Sequence, residues 1–195
     1  MAKTTEARQR ILGAALDLFH AQGVAATGLD QILKASGTGK GQFYHYFSSK
    51  DDLVLEVMRE FRRRIVEGET ALKTELRTWK DLEDWFGFFL DAQTRGQCLR
   101  SCPIGTIGAE LGEEQAALRE EARAIFGAAK GVLGDFFGRM KREGKLSRGV
   151  DPVALADFCY TIMQGGLLVA KIERRIEPFE NAVKHALRHV KSLRA

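Results

Sequence analysis

Apolar residues along this chain return at steps of three and four and nowhere in strict alternation, which makes the fold all-α. The first fifty residues show the pattern most tightly. Ile11, Leu12, Ala15, Leu18 and Phe19 mark one face of a helix over 5–22 that stops at Gly23. Thr27 and Asp30 have the spacing of a capping box, which opens a short helix through Ala35. After a turn at Gly37, a second short helix is expected from Thr38 to Tyr46. Ser49 with Asp52 then starts a helix expected to reach about Leu76. Two short helices joined by a tight glycine turn, behind a longer one, form the helix-turn-helix pattern.

Farther on, residues 79–95 are strongly apolar, 96–113 are glycine-rich and irregular, and 114–143 are helical again. Asp151 before Pro152 is a cap followed by proline at the first helical position. Glu177-Pro178 breaks the pattern before a last helix ending near Leu193. Two parts are expected, residues 1–50 and residues 51–195.

The stretch GTGKGQFYHYFSSK, residues 37–50, joins glycines to lysine and so suggests a phosphate partner. A nucleotide-binding loop would need a preceding strand and a Ser/Thr after its lysine; here Lys40 is followed by Gly41. A dinucleotide fingerprint needs a strand as well. DNA fits better. A short helix carrying Lys40, Gln42, Tyr44, His45 and Tyr46 offers donors and rings to a groove, Gly41 lets it approach closely, and Lys50 adds a cation at the next helix start. Phe43 and Phe47, four apart, are expected to pin this helix to the core.

Charge agrees in sign. Residues 1–50 hold six Lys/Arg against three Asp/Glu, while the remainder holds 24 against 23, so the net +4 leans toward the N-terminus. The opening MAKTTEARQR is charged where an export signal is apolar, no apolar run approaches a membrane span, and three cysteines, an odd number, suit free thiols. A cytoplasmic protein without a membrane partner is expected. The four histidines are scattered and no nucleophile–base motif occurs, so an enzyme is not indicated and no cofactor is expected.

The segment GVAATGLDQILKASGTGKGQFYHYFSSKDDL, together with its flanks over about residues 8–55, resembles the N-terminal signature of the TetR/AcrR family of transcriptional repressors. The resemblance implies a homodimer with a helix-turn-helix head on a pseudo-palindromic double-stranded operator, and a helical C-terminal domain that binds an inducer. It places Thr27 on a phosphate, Thr38 beside the DNA, Lys40, Gly41 and Gln42 at base edges, Tyr44, His45 and Tyr46 on backbone or bases, and Lys50 on a phosphate. Gly28 and Gly39 stand where the family often has hydroxyl residues. The implied dimer pairs the last two long helices, with Phe158, Ile162, Gly165, Gly166, Phe179, Val183 and Leu187 as candidate interface residues.

Two C-terminal features bear on sensing. The stretch SCPIGTIGAEL, with AKIERRIEPFENAVKH, resembles the NemR-like branch, repressors that respond to reactive electrophiles. That likeness puts Cys102 on the sensing cysteine and Lys171 on a lysine beside it, with Cys98 four residues before. From the residues alone, Cys102 precedes a plausible helix start at Pro103 and lies near Arg100, both of which favour thiolate. A CP-x-G pattern also resembles relatives that bind flat aromatic molecules reversibly, where the cysteine is structural. A metal centre from Cys98, Cys102, His185 and His189 is not favoured. Gly127, Gly131, Gly134 and Gly138 form the second feature, a bare stripe at helical spacing. It implies either a close helix crossing or, with Trp85, Phe88 and Phe89, a cavity for a flat ligand. A nucleic-acid-binding scaffold without a sensing role is the remaining alternative.

Overall fold

The computed structural model describes residues 2–70 and 72–195, with side chains from Glu6 onward. Among the described residues there are nine α-helices and no strand: α1 (Ala2–Gln22), α2 (Leu29–Ser36), α3 (Lys40–Tyr46), α4 (Lys50–Val66), α5 (Trp79–Arg95), α6 (Pro103–Gly108), α7 (Ala116–Arg142), α8 (Pro152–Glu173) and α9 (Glu177–Ser192). The all-α expectation stands. The chain divides into two compact units. One comprises residues 1–64 with 103–125, and the other 65–102 with 126–195.

In the first unit, α1 buries Ala7, Ile11, Leu12, Ala15 and Phe19 along the face its spacing announced. Ile32 and Leu33 of α2, Phe43 and Phe47, and Leu53, Val54, Val57 and Met58 of α4 complete the core. Each large apolar side chain removed from water contributes about 2 kcal/mol, so this small head depends on these contacts. α6 packs on α1. Ser49 caps α4 as expected, its Oγ accepting from Asp52 N at 3.0 Å while the Asp52 carboxylate reaches back to the N–H of Ser48 at 2.8 Å.

Two boundaries differ from the expectation. α2 begins at Leu29 behind Gly28 rather than at Thr27, and Gln31, not Asp30, closes the turn by accepting the Gly28 N–H at 2.8 Å. Glycine has no side chain to return the bond, so half a capping box remains. α4 ends at Val66, ten residues before Leu76, because Gly68 turns to a left-handed φ of +69°. The 96–113 segment, expected to be glycine-rich and irregular, holds the short α6, which opens at Pro103, the expected helix start.

The second unit is built on α8. Leu155, Ala156, Cys159, Tyr160, Met163, Gly166, Leu167 and Ala170 of this helix are buried in one cluster with Trp85 and Phe86 of α5, Phe136 and Phe137 of α7 and Phe179 and Val183 of α9. By length and composition α8 could cross a membrane, which corrects the expectation that no run approaches that size. Its buried residues make it the core helix of this unit instead. Asp151 caps it as expected, accepting from Val153 N at 2.9 Å. α5 opens with a complete capping box of Thr78 and Asp81. The Lys73 ammonium, then the N–H groups of Arg77 and Thr78, hold the Asp81 carboxyl well below the usual carboxylate range.

Candidate nucleic-acid interface

α3 is positioned by its buried side. Phe43 and Phe47 are 1% exposed, and their rings meet at 5.4 Å. That orientation turns Lys40, Gly41, Tyr44 and His45 outward, and Tyr44 stays 62% exposed although its ring rests edge-on against Phe43. A phenol that exposed on a rigid seven-residue helix is available to a partner. A Cβ on Gly41 would meet no atom within 4 Å, so the surface there is open. Tyr46 is half-buried and stacks edge-on with His45. Lys50 is half-buried at the first position of α4.

Other candidates are occupied. Gln42 accepts the Gly39 N–H at 3.2 Å and so caps α3. Lys40 leans 3.4 Å from Asp30, with both side chains mostly in solvent, a pair that water screens and a phosphate can displace. Thr38 is half-buried, its hydroxyl 2.7 Å from that of Ser36. Thr27, placed on a phosphate by the resemblance, is fully buried. Its hydroxyl donates to Gly23 O at 2.6 Å and accepts from Gln22 at 3.2 Å, so it fastens the α1–α2 loop. The two glycine-capped helices leave their first N–H groups at the surface, behind Gly28 and Gly39.

Two profiles match the chain after this geometry is set. That of "Bacterial regulatory proteins, tetR family" covers residues 11–57, and that of "Tetracyclin repressor-like, C-terminal domain" covers 78–186. The chain belongs to the TetR family. It is a TetR-family DNA-binding transcriptional regulator. The transcriptional regulator AcuR of Cereibacter sphaeroides is 29% identical over 94% of this chain and 84% of that protein. The transcriptional repressor NemR of Escherichia coli K12 is 28% identical over 95% of both. Among solved structures, a regulatory protein TetR from Rhodobacter sphaeroides superposes with a TM-score of 0.83 at 27% identity, covering 94% of this chain and 98% of that one. The reduced form of E. coli NemR gives 0.70 at 25% identity, covering 97% of each.

The second TetR-family unit places the sensing candidates. No disulfide joins the three cysteines. Cys159 is fully buried, and burial pushes its thiol up to about 12. Cys98 is 4% exposed and also raised, first by burial and then by the Glu177 carboxylate. Cys102 is half-buried, immediately before α6, and receives a hydrogen bond from Gln164 Nε2 at 3.5 Å. Gln164 also donates to Tyr160 Oη at 2.9 Å. Burial, then the nearby Cys102 sulfur, raise the Tyr160 hydroxyl well above its ordinary range. Sequence reasoning missed Gln164 and Tyr160, because only the fold brings them to residue 102. Lys171 is half-buried two turns beyond Gln164 on the same helix.

Trp85 is 1% exposed within an aromatic pile with Phe86 and Phe89, and Phe88 stacks edge-on with Phe89. Among the described residues, a Cβ on Gly127, Gly131 or Gly134 would meet nothing within 4 Å, whereas one on Gly138 would lie 3.3 Å from the Arg142 side chain. Gly127 and Gly131 are exposed.

The expected dimer residues divide into two groups. Phe158 and Gly165 are exposed, and Ile162 and Leu187 are half-buried. Gly166, Phe179 and Val183 are corrected: they are buried inside the subunit, and a Cβ on Gly166 would lie 1.9 Å from the Phe179 ring. Val153 and Ile172, which sequence reasoning passed over, are exposed on α8 with Phe158, Leu168 and Val169. For Ile172 the available signal was its spacing of three and four from Val169 and Leu168; Val153, five residues before Phe158, had none.

Proposed function

We propose that the chain is a homodimeric repressor that leaves its operator when Cys102 reacts with an electrophile or oxidant. Residues 1–50 act as the reading head and 51–195 as the sensing and dimerisation part, in the cytoplasm where the chromosome is. The observation that carries the sensing step is the contrast among the three thiols. Two are buried and raised, while Cys102 is half-buried and accepts a hydrogen bond from the Gln164 side-chain amide. Reaction there adds bulk directly ahead of α6. Release follows if the modified protein favours a state in which the two heads no longer match their half-sites.

On the DNA side, Lys40, Gly41, Tyr44 and His45 reach the groove. Thr38, Gln42 and Tyr46 support them at its edge, and Lys50 holds a phosphate. Dimers of this kind read half-sites about 34–36 Å apart. The exposed apolar row of Val153, Phe158, Leu168, Val169 and Ile172 supports pairing through α8.

The test is duplex binding with and without a thiol-alkylating maleimide, for wild type and Cys102→Ser. Release of wild type alone supports the sensor. Equal behaviour moves the search to a reversible aromatic ligand, the reading favoured by the open glycine stripe and the aromatic pile at Trp85, Phe88 and Phe89. Indifference to every small molecule leaves a non-sensing DNA-binding scaffold.

A further inference from the structure

Residues 103–125 come after Cys102 in the chain, yet they belong to the compact unit of the helix-turn-helix head. Three side chains of this stretch are bonded to that head. Gln115 Nε2 donates to Asp51 Oδ2, in the first turn of α4, at 3.1 Å. Glu121, 9% exposed, takes both arms of the Arg62 guanidinium, Nε at 2.6 Å and Nη2 at 3.4 Å. Glu110 Oε2 accepts the backbone N–H of Ala25 at 2.7 Å.

The first two bonds end on α4. Glu110 ends on the α1–α2 loop, the strap that sets where α2, and behind it α3, begins. The rest of that loop is fastened locally. Gln22 Nε2 donates to Ala26 O at 3.1 Å, to Thr27 Oγ1 at 3.2 Å and to Gln31 Oε1 at 3.1 Å, while the Thr27 hydroxyl closes on Gly23 O. The Ala25 N–H is instead satisfied by a carboxylate from 85 residues away. The acceptor is a side-chain carboxylate oxygen, and the bond lies at the surface of the unit. The loop is shaped to admit it. Gly23 has a left-handed φ of +88°, and a Cβ there would lie 2.0 Å from Glu110 Oε1. The left-handed backbone there favours glycine, and the bare Cα leaves the carboxylate room beside it.

We propose that Glu110 is a positioning residue of the DNA-reading head, holding the α1–α2 loop so that α2 and α3 meet the duplex in register. It acts through the loop rather than on DNA, since a carboxylate repels phosphate. The inference rests on the operator-binding reading above. It extends the reading head beyond residues 1–50 to a side chain that follows the candidate sensor.

The test uses the full chain as wild type, Glu110→Ala and Glu110→Gln, with a duplex selected from a random pool by wild type. Affinity is measured alongside amide hydrogen exchange over residues 23–28. Removing the acceptor in Glu110→Ala is expected to weaken binding by roughly five- to twentyfold and to speed exchange in that loop several-fold, with little change in the thermal midpoint. Glu110→Gln keeps an acceptor oxygen, and it should bind as tightly as wild type or more so, with wild-type exchange. The inference is overturned if Glu110→Ala binds like wild type, if its loop exchange is unchanged, or if Glu110→Gln fails to restore both. A wild type that selects no duplex overturns the operator-binding reading itself and takes the DNA role of Glu110 with it.

Discussion

Lys50, half-buried at the first position of α4, is the candidate phosphate contact outside α3. It stands at the start of α4 beside the exposed face of α3. As a phosphate contact it carries no sequence information. Lys50→Ala should therefore weaken binding about equally across duplex sequences and flatten the slope of log affinity against log salt by about one. Binding measured at four or five salt concentrations checks this, and an unchanged slope removes Lys50 from the interface. Glu60 offers a separate test in the same unit. Hydrogen bonds from Arg63 and then Arg64 lower its carboxyl to about 2, and its side chain is only 14% exposed. A folded-state value below the unfolded one stabilises the protein above the ordinary carboxylate range and fails as pH falls from about 4.5 to about 2. With screening at the half-exposed arginines, the contribution is on the order of 1–2 kcal/mol. The thermal midpoint of wild type should fall through that window more steeply than that of Glu60→Gln. At this scale the sequence was readable where spacing alone decides. Phe43 and Phe47 are core because they lie four apart on a short helix. Thr27 was not readable, since its neighbours Gln22 and Gly23 bury a hydroxyl that local pattern exposes.

At the scale of elements, glycine separates two cases that look alike in the chain. In α7 the stripe of Gly127, Gly131 and Gly134 faces open space, so nothing in the subunit repays the roughly 1 kcal/mol that each glycine costs against alanine. In α8, Gly166 is covered by the Phe179 ring. Gly131→Ala should thus stabilise the fold by about 1 kcal/mol in chemical denaturation. Gly166→Ala should destabilise it by about 1–3 kcal/mol, through displacement of Phe179. A stabilised Gly131→Ala protein that still binds DNA but no longer releases it would assign the stripe to signalling. The helices themselves were legible where a cap was written beside an apolar run, as at Ser49 and Asp151. The end of α4 was not, because its periodicity continues past Gly68 while the backbone there does not. Which face of α8 points inward was equally hidden: this helix is apolar on nearly all sides, and only packing distinguishes the buried Leu155, Cys159 and Met163 from the exposed Phe158, Leu168 and Val169.

At the scale of the whole molecule, the proposed pairing through α8 rests on apolar side chains that one subunit leaves exposed, among them Leu168 at 51% and Ile172 at 70%. Placing a charge there, as in Phe158→Arg or Ile172→Asp, should yield monomers by sedimentation and lower operator affinity by at least about a hundredfold, since one head alone covers one half-site. The same substitutions should leave the helical content intact, because neither side chain belongs to the buried cluster. The two compact units could not be foreseen from chain order, since residues 103–125 return to the head after the chain has entered the second unit. Only tertiary contacts such as Glu110 to Ala25 report that return.

The most direct measurement is selection of duplexes from a random pool by the full chain, followed by footprinting of the enriched sequence. The account expects two inverted half-sites whose centres lie about one helical turn apart, 10–10.5 base pairs, or a multiple of it, with protection lost in the Tyr44→Ala and Lys40→Ala proteins. A pool that shows no enriched sequence, or a single unpaired site bound equally by Tyr44→Ala, would contradict it.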